Sequence, residues 1–289
     1  MPSRKKGHKL RILEGEPVEY QGRIWIVKGE QHPSGYIVAY PRYDLILHDR
    51  IKGYEAYRLI SQHARLWACL KQEVPLIPVN EVKPYKQIYS RKALLVKNII
   101  EEITCSYGEV IVTGSSLVMD GNDVDIIIYT DNPASIIEKI RSHMHGFIRK
   151  MTMGDLLREW MLKHKNLLDF NEYLILKQDS LLQIRIAGVP VSLRIVPYTE
   201  GFRGCIDPVY DRLEYTGFIE VLLPITKYTS PAKYYARLET GEHVILETRR
   251  ILYAEIPTGR YWLEKGYLEK RKTGDYVVPD HGRMVLVKK

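Results

Sequence analysis

The distribution of apolar positions predicts a hairpin and then a helix in the first part of the chain. Two apolar runs within residues 17–43, RIWIVKG and GYIVAYPRY, are separated by the turn-forming residues His-Pro-Ser-Gly, which is typical of two antiparallel strands. Residues 55–72 then carry apolar side chains at helical spacing and predict a helix. The segment VPLIPVNEVKP that follows contains three prolines, so we expect a short extended linker there.

The central part of the chain predicts strands alternating with helices. A helical apolar stripe runs from Ser90, a candidate cap, to Gly108. The strand EVIVT, a short segment and the strand VDIIIYT come next, and residues 131–146 again have a helical pattern. Residues 153–180 predict one long helix or two consecutive helices.

Two further β-rich regions complete the pattern. The run LLQIRIAGVPVSLRIVPY predicts a second hairpin, turning at Ala187-Gly188 beside the first sheet. From about Cys205 the chain consists of short alternating runs broken by Gly, Pro and Asp, which indicates a small β-rich module or a barrel. The predicted fold class is therefore α+β, with a mixed sheet and helices plus this C-terminal module. The predicted segments are 1–84 (hairpin and helix), 85–204 (core) and 205–289 (β-rich module).

The charge of the chain favours a polyanionic partner. Lys and Arg total 43 against 35 Asp and Glu, which gives a formal charge of +8 and a pI near 9.1. RNA or DNA is the partner that such a balance suggests. The basic N-terminus MPSRKKGHKLR has two interpretations, a phosphate-binding arm or a frayed, solvated tail, and we favour the tail.

Cysteine usage and hydropathy point to the cytoplasm. The three cysteines, Cys69, Cys105 and Cys205, are far apart and form no CxxC pair, so we expect neither a disulfide framework nor a zinc knuckle. No apolar stretch approaches the length of a membrane span, and the N-terminus lacks the apolar core of a secretory signal. We therefore predict a cytoplasmic protein without membrane contact.

The stretch TGSSLVMDGNDVDIIIY concentrates the candidate chemistry. Gly114 at a strand-to-helix turn would allow a phosphate to approach free backbone N–H groups, and Ser115 could donate its hydroxyl. Asp123 and Asp125 are two residues apart on the next strand, so they point the same way and repel unless a cation lies between them. We predict Mg²⁺, or Mn²⁺ in its place, bound by these two aspartates together with a nucleoside triphosphate. The alternative is a loop with a polar cap on a buried strand.

These residues resemble a known signature. A Gly-Ser turn, a short spacer and Asp-x-Asp before an apolar strand are similar to the DNA polymerase β-type nucleotidyltransferase superfamily. HPSGYIVAYPRY, VPLIPVNEVKPY and the late segment beginning KYTSPAKYYARLETGEH are similar to stand-alone archaeal proteins described as predicted nucleotidyltransferases. The resemblance implies a polymerase β palm-type sheet. It also implies transfer of a nucleoside monophosphate to a hydroxyl on nucleic acid or protein, with Asp123 and Asp125 as catalytic metal ligands and Gly114 and Ser115 on the phosphates.

The resemblance also puts turnover in question. Active members carry a third metal-binding carboxylate on a later strand, and Ser192 in GVPVSLRIVPY stands where that carboxylate belongs, while Arg194 and Pro197 fit the pattern. Arg194 would support the nucleotide site electrostatically. Loss of one ligand could cost several kcal/mol of barrier, which is a factor of roughly a thousand in rate. Four other carboxylates could replace it: Asp120, Glu200, Asp207 and Asp211.

Two alternatives to an active transferase therefore stay open. The first is a catalytically degenerate member acting as a nucleotide- or nucleic-acid-binding subunit, and the second is a structural interaction protein. Tyr and Arg interleave at 36–43, 234–237 and 260–267, where rings beside cations on a β surface could stack bases, or could simply be solvated. The segment 157–165 most simply predicts a solvated basic helix face.

Overall fold

The fold is α+β and contains three sheets and five α-helices in the ranges that the structure, a computed structural model, describes. Those ranges are residues 12–86, 89–105, 107–118, 121–198 and 204–287. The basic N-terminal segment lies outside the described residues. Within these ranges no helix combines the length and the apolarity that crossing a membrane requires.

Contacts divide the chain into two compact units. The first comprises residues 1–90, 113–121 and 199–208. The second comprises residues 91–112, 122–198 and 209–289. The segment boundaries predicted after residues 84 and 204 stay predictions.

The first unit is built on one sheet of seven strands. The predicted hairpin is confirmed, because the second and third strands pair antiparallel. The strands and one helix are β1 Pro17–Tyr20, β2 Arg23–Val27, β3 Tyr36–Asp44, β4 Asp49–Arg50, α1 Gly53–His63, β5 Ala64–Trp67, β6 Gln72–Pro78 and β7 Lys83–Pro84. The sheet order is β5-β6-β3-β2-β1-β7, with β4 paired to β3.

The helix predicted over residues 55–72 is too long at its C-terminal end. Helix α1 ends at His63, whose ring packs edge-on against Trp25 at 5.2 Å. The next residues form β5 and pair with β6, so the expected extended linker is instead a strand of the sheet. Burial decides between the two conformations, since Trp67 packs in a cluster with Val38 and Val74.

The expectation of no disulfide is wrong. Cys69, just after β5, is bonded to Cys205, and the two residues are 136 positions apart in the sequence. The same region is fixed by Gln31, whose side-chain oxygen accepts hydrogen bonds from the backbone N–H groups of Ile206 and Asp207 at 2.6 and 2.7 Å. Sequence distance therefore misleads here, because the two cysteines meet only in the folded unit.

The second unit begins with a five-stranded sheet that carries the Asp-x-Asp strand. Its elements are α2 Arg91–Thr104, β8 Glu109–Thr113, β9 Val124–Thr130, α3 Pro133–Ser142, β10 Ile148–Lys150, α4 Met153–Glu159, α5 Phe170–Lys177, β11 Gln183–Ile186 and β12 Val189–Pro197. The predicted order of strand, short helix, strand and helix is confirmed, the short helix being a 3-10 turn at Gly114–Leu117. The sheet order is β10-β11-β12-β9-β8.

Helix ends in this unit follow the capping residues of the sequence. The side chain of Asn132 accepts from Ser135 N at 3.1 Å and starts α3. Thr152 and Asp169 each form a capping box, at the start of α4 and of α5. Because of the second box, residues 153–180 form two helices rather than one, and a π-helical turn at Trp160–His164 follows α4 directly.

The predicted C-terminal β-rich module is a closed barrel. Its strands are β13 Val209–Thr226, β14 Ala232–Leu238, β15 His243–Thr248, β16 Gly259–Arg271, β17 Gly274–Val278 and β18 Arg283–Leu286. The order β13-β14-β15-β17-β16 closes on itself through the pairing of β13 with β16, and β18 pairs with β16 outside the ring. Closure leaves these five strands without open edges.

Polar contacts join the barrel to the five-stranded sheet within the second unit. Lys177, at the end of α5, is 1% exposed, and its ammonium donates to the carbonyl of Ile251 at 2.6 Å. The carboxylate of Glu255 accepts from Leu181 N at 2.7 Å and from the Ser180 hydroxyl. Arg283 donates to both carboxylate oxygens of Glu172 at 3.0 Å.

Candidate functional site

The two aspartates lie where β9 begins. Asp123 immediately precedes the strand and Asp125 is its second residue, while the residues from Ile126 onward are buried. Strand β12 runs parallel to β9 in a register that sets Ser192 beside Asp125 and Arg194 beside Ile127. Neighbours in a parallel register share a face of the sheet, so Asp125 and Ser192 are side by side.

The cation next to the aspartates is Lys163. Its Nζ lies 3.2 Å from Asp123 Oδ2 and 3.5 Å from Glu159 Oε1. Lys163 belongs to the π-helical turn after α4, one turn beyond Glu159. The side chain of Lys163 is 44% exposed, as expected for a solvated basic helix face, and its ammonium also faces these carboxylates.

Glu159 adds a third carboxylate to this cluster. Its side chain is 9% exposed and accepts from Tyr173 Oη at 3.1 Å and from Gln183 Nε2 at 2.5 Å. These neutral donors, one on α5 and one on β11, hold the carboxylate in place. Glu159 therefore acts here as a fixed counter-charge to Lys163.

Asp125 and Lys163 each shift the pKa of the other. Loss of hydration, opposed by Lys163 and reinforced by Asp123, raises the pKa of Asp125 to about 6. Desolvation works to lower the pKa of Lys163, but the charges of Glu159, Asp125 and Asp123 outweigh it and raise that pKa. The lysine is thus charged at neutral pH, and Asp125 takes up a proton more readily than an ordinary aspartate.

Arg194 stands on the same side of the sheet as Asp125. Its positive charge lowers the pKa of Asp125, against the larger effect of desolvation. Arg194 can therefore interact with an anion bound near the aspartates.

Gly114 and Ser115 lie in the first compact unit, whereas Asp123 and Asp125 lie in the second. Gly114 starts the 3-10 turn with φ of +68°, a left-handed conformation that favours glycine. The expected strand-to-helix turn at Gly114 is thus confirmed, and the approach of a phosphate to it stays a prediction. That these two residues share a cleft with the aspartates stays a prediction.

The carboxylate oxygens of Asp123 and Asp125 are ligands of the kind that Mg²⁺ prefers, but two side chains do not complete its coordination shell. Among the described residues, no three His, Cys, Asp or Glu side chains converge as metal ligands. Mg²⁺ commonly uses one or two carboxylates and completes its shell with water and substrate phosphates. Asp123 and Asp125 therefore fit an ion that arrives with a triphosphate, and Lys163 must move aside to admit it.

The candidate replacements for the missing third carboxylate fall in different parts of the chain. Asp207 lies in the first unit, and Asp211 lies on β13, where one of its oxygens accepts from Arg212 N. Asp120 and Glu200 lie outside the described residues. Ser192 occupies the position beside Asp125.

The chain matches no protein-family model, no curated protein and no solved structure.

Sequence reasoning missed Lys163 and Glu159. The signal was present, since the two residues are four apart with Glu first, a spacing that favours an ion pair on a helix. The pattern did not indicate that a strand 40 residues earlier would bring Asp123 to the same lysine.

Proposed function

We propose that the protein binds a nucleoside triphosphate together with Mg²⁺ at Asp123 and Asp125, in a nucleotidyltransferase-like domain. The observation that carries the proposal is the start of β9, where two carboxylates face one cation, Lys163. Carboxylates that already pair with the ammonium of Lys163 can pair with a metal ion in its place. Mn²⁺ would serve in place of Mg²⁺.

The acidic residues of the site would hold the metal ion, and its basic residues would contact the polyphosphate. Asp123 and Asp125 would hold the metal ion, which when bound neutralises phosphate charge and lowers the pKa of an attacking hydroxyl. Lys163, displaced from Asp123, would remain within reach of the polyphosphate oxygens, and Arg194 would add a second positive charge. Glu159, held by Tyr173 and Gln183, would keep Lys163 charged.

In the transfer that this site would support, a hydroxyl on RNA, DNA or protein attacks the α-phosphorus. A new O–P bond forms as the bond to pyrophosphate breaks, and the hydroxyl proton passes to solvent or to a nearby base. Ser192 offers no negative charge where active relatives by resemblance carry a carboxylate, so we expect transfer to be slow and nucleotide binding to be the stronger property.

Calorimetry tests the binding. Mg²⁺ with each of the four common ribonucleoside triphosphates is titrated into the wild type, Asp123→Asn and Asp125→Asn, with Asp131→Asn, an exposed residue at the far end of β9, as the matched control. We expect at least one triphosphate to bind in a Mg²⁺-dependent way and each site variant to lose tenfold or more in affinity. Equal affinity in all four proteins would refute the proposal.

A second candidate function is that of a catalytically degenerate subunit that binds nucleic acid. A cation and ring pair on the barrel surface favours it, since Arg260, whose side chain is 54% exposed, lies 4.0 Å from the ring centre of Phe218. The rings of Tyr210 and Tyr235 are more than half exposed on the same barrel. Such surfaces can stack bases while neutralising phosphates.

Labelled triphosphate separates the two candidates. The protein is incubated with α-labelled triphosphate, Mg²⁺ and RNA, DNA or protein acceptors. Label transferred by the wild type and lost in Asp125→Asn identifies a transferase. Nucleic-acid binding that persists without transfer, and falls in Arg260→Gln, identifies the degenerate subunit.

A further inference from the structure

The side of helix α1 that faces away from the sheet carries two exposed tyrosines. Leu59 and Ala56 pack this helix against the core of the first unit. On the other side, Tyr54 and Tyr57 are 79% and 68% exposed, and residues three apart on a helix are neighbours on its surface. Neither ring stacks on another side chain within the ranges that the structure describes. Two large rings therefore lie next to each other in solvent.

Three basic residues lie around the same helix without carboxylate partners. Arg58 lies on the exposed face of α1, four residues after Tyr54, and Lys52 immediately precedes the helix; both residues are exposed. The exposed residue Arg42 lies beside the start of α1, since its carbonyl accepts from Ile51 N at 3.0 Å. None of these three cations forms an ion pair within the described part of the chain. Their charges can therefore act on an external anion.

The charge of this region is positive overall. From the start of β4 to the end of β5, residues 49–67, the chain has four basic residues and two acidic ones. Glu55, the one carboxylate of α1, is half-buried at the edge of the exposed face. Such a surface attracts a polyanion.

Exposed rings beside unpaired cations match the chemistry of single-stranded nucleic acid. The faces of its bases are open, so they can stack on aromatic side chains while the phosphates pair with cations. In a duplex those faces are covered by the neighbouring base pairs. Helix α1 has 11 residues and is about 16 Å long, which gives both tyrosines and Arg58 one continuous surface.

We propose that the exposed face of α1 binds single-stranded nucleic acid. Tyr54 and Tyr57 stack on its bases. Arg58 and Lys52 contact its phosphates. The site lies within the first unit, and it depends neither on the two aspartates nor on the barrel surface.

Fluorescence anisotropy measures this binding on the full chain, in EDTA and without triphosphate, so that the proposed nucleotide site takes no part. The probes are labelled single-stranded RNA, labelled single-stranded DNA and a DNA duplex of the same sequence. One double variant, Tyr54→Leu with Tyr57→Leu, removes both rings but keeps apolar side chains, and a second, Tyr54→Phe with Tyr57→Phe, keeps both rings. Arg58→Gln removes one charge. Its matched control is Arg141→Gln, which removes the same charge from an exposed position at the end of α3 in the second unit.

We expect affinity for the single strand to fall about tenfold or more in the leucine double variant and to change less than about twofold in the phenylalanine double variant. Arg58→Gln should weaken binding severalfold and reduce the slope of log K against log salt by about 0.7, whereas Arg141→Gln should change neither. Every substituted side chain is exposed, so we expect unchanged unfolding temperatures, which show that each variant is folded.

Binding of either RNA or DNA with this pattern supports the proposal, and the preferred strand identifies the ligand. No binding of either strand, or equal affinity in the wild type and the leucine double variant, would overturn it. Stronger binding of the duplex would also contradict stacking on open bases. A loss of affinity in Arg260→Gln alone would place the nucleic acid on the barrel and leave the face of α1 to a protein partner.

Discussion

Lys163 and Asp123 form an ion pair in which Nζ lies 3.2 Å from Oδ2, and this pair occupies the place where a divalent cation was expected. The ammonium therefore neutralises the carboxylates in the absence of metal. Any metal ion must compete with the ammonium of Lys163, which the chain itself holds close to the carboxylates at a high local concentration. Mg²⁺ alone is a poor competitor, since it gives up its water reluctantly.

Removing the lysine charge should let a metal ion bind without nucleotide. In EDTA we expect Lys163→Gln to be less stable than the wild type by about 1 kcal/mol, because the pair is partly exposed. Millimolar Mg²⁺ should raise the unfolding temperature of Lys163→Gln and leave that of the wild type nearly unchanged. Lys165→Gln, which changes the neighbouring exposed lysine, is the control in thermal unfolding. An identical Mg²⁺ response in the three proteins would contradict competition between Lys163 and the metal.

Protonation of Asp125 should make stability depend on pH in an unusual direction. Its pKa is raised from 3.8 to about 6, so the folded state holds a proton that the unfolded state releases between those values. The unfolding free energy contributed by this group is therefore largest below pH 4 and falls as pH rises to 6, by about 2–3 kcal/mol at roughly 1.4 kcal/mol per pKa unit.

Asp125→Asn isolates this effect. In EDTA the variant should be more stable than the wild type at pH 7 and equally stable at pH 4, as measured by urea unfolding. Asp131→Asn, an exposed change, should track the wild type at both pH values. A stability difference that does not vary with pH would show that Asp125 has an ordinary pKa.

Ser192→Asp should restore the missing ligand. The parallel register sets residue 192 beside Asp125, so a carboxylate there completes a set of three with Asp123. We expect affinity for Mg²⁺ with triphosphate to rise tenfold or more and any transfer of label to accelerate, while stability in EDTA falls from charge repulsion. Ser192→Asn has nearly the same size without the charge and should show neither change. Unaltered metal affinity in Ser192→Asp would exclude this position from the site.

The disulfide predicts a thiol count. Of the three cysteines, only Cys105 lies outside the bond between Cys69 and Cys205. Unfolded, unreduced protein should therefore expose a single reactive thiol, and reduction should release two more. Cys205→Ser should lower stability by about 3–5 kcal/mol, whereas Cys105→Ser should have little effect. Three reactive thiols before reduction would mean that the bond is absent.

The barrel contains a buried ion cluster with the opposite pH dependence. Desolvation works to raise the pKa of Glu247, but Arg271 at 2.9 Å, with Arg249 and Lys233, outweighs it and lowers the pKa to about 2. This stabilisation is present above pH 4.5 and is lost as pH falls toward 2.

Glu247→Gln should lower stability by about 2–4 kcal/mol at pH 7 and by much less at pH 3, because it leaves buried cations without their partner. Glu220→Gln breaks an exposed pair with Arg237 and should cost under 1 kcal/mol at either pH. Equal losses in the two variants would contradict the role of burial.

Local patterns predicted most elements but not which elements meet. Apolar spacing and caps located α2, α3 and the hairpin at Ala187-Gly188, because each depends on residues a few positions apart. The same approach extended α1 to residue 72, since nothing local reveals that Ala64–Trp67 pairs with β6. Long-range pairing prevailed over helical spacing there.

The candidate site was likewise predictable only where it depends on residues close in sequence. Asp123 and Asp125 could be found from the sequence, because an i, i+2 pair before an apolar strand is a local feature. The partner of Asp123 could not, because Lys163 is 40 residues away and reaches it through a π-helical turn that has no recognised sequence signal. The structure places the ammonium of Lys163 beside Asp123, and a metal ion bound by the two aspartates stays a prediction.

Lys177 links the five-stranded sheet region of the second unit to the barrel. Its side chain is buried and its ammonium donates to the carbonyl of Ile251, between β15 and β16, so a protein shortened before residue 209 would lose this acceptor. The barrel thus belongs to the same compact unit as the five-stranded sheet rather than being an appendage to it.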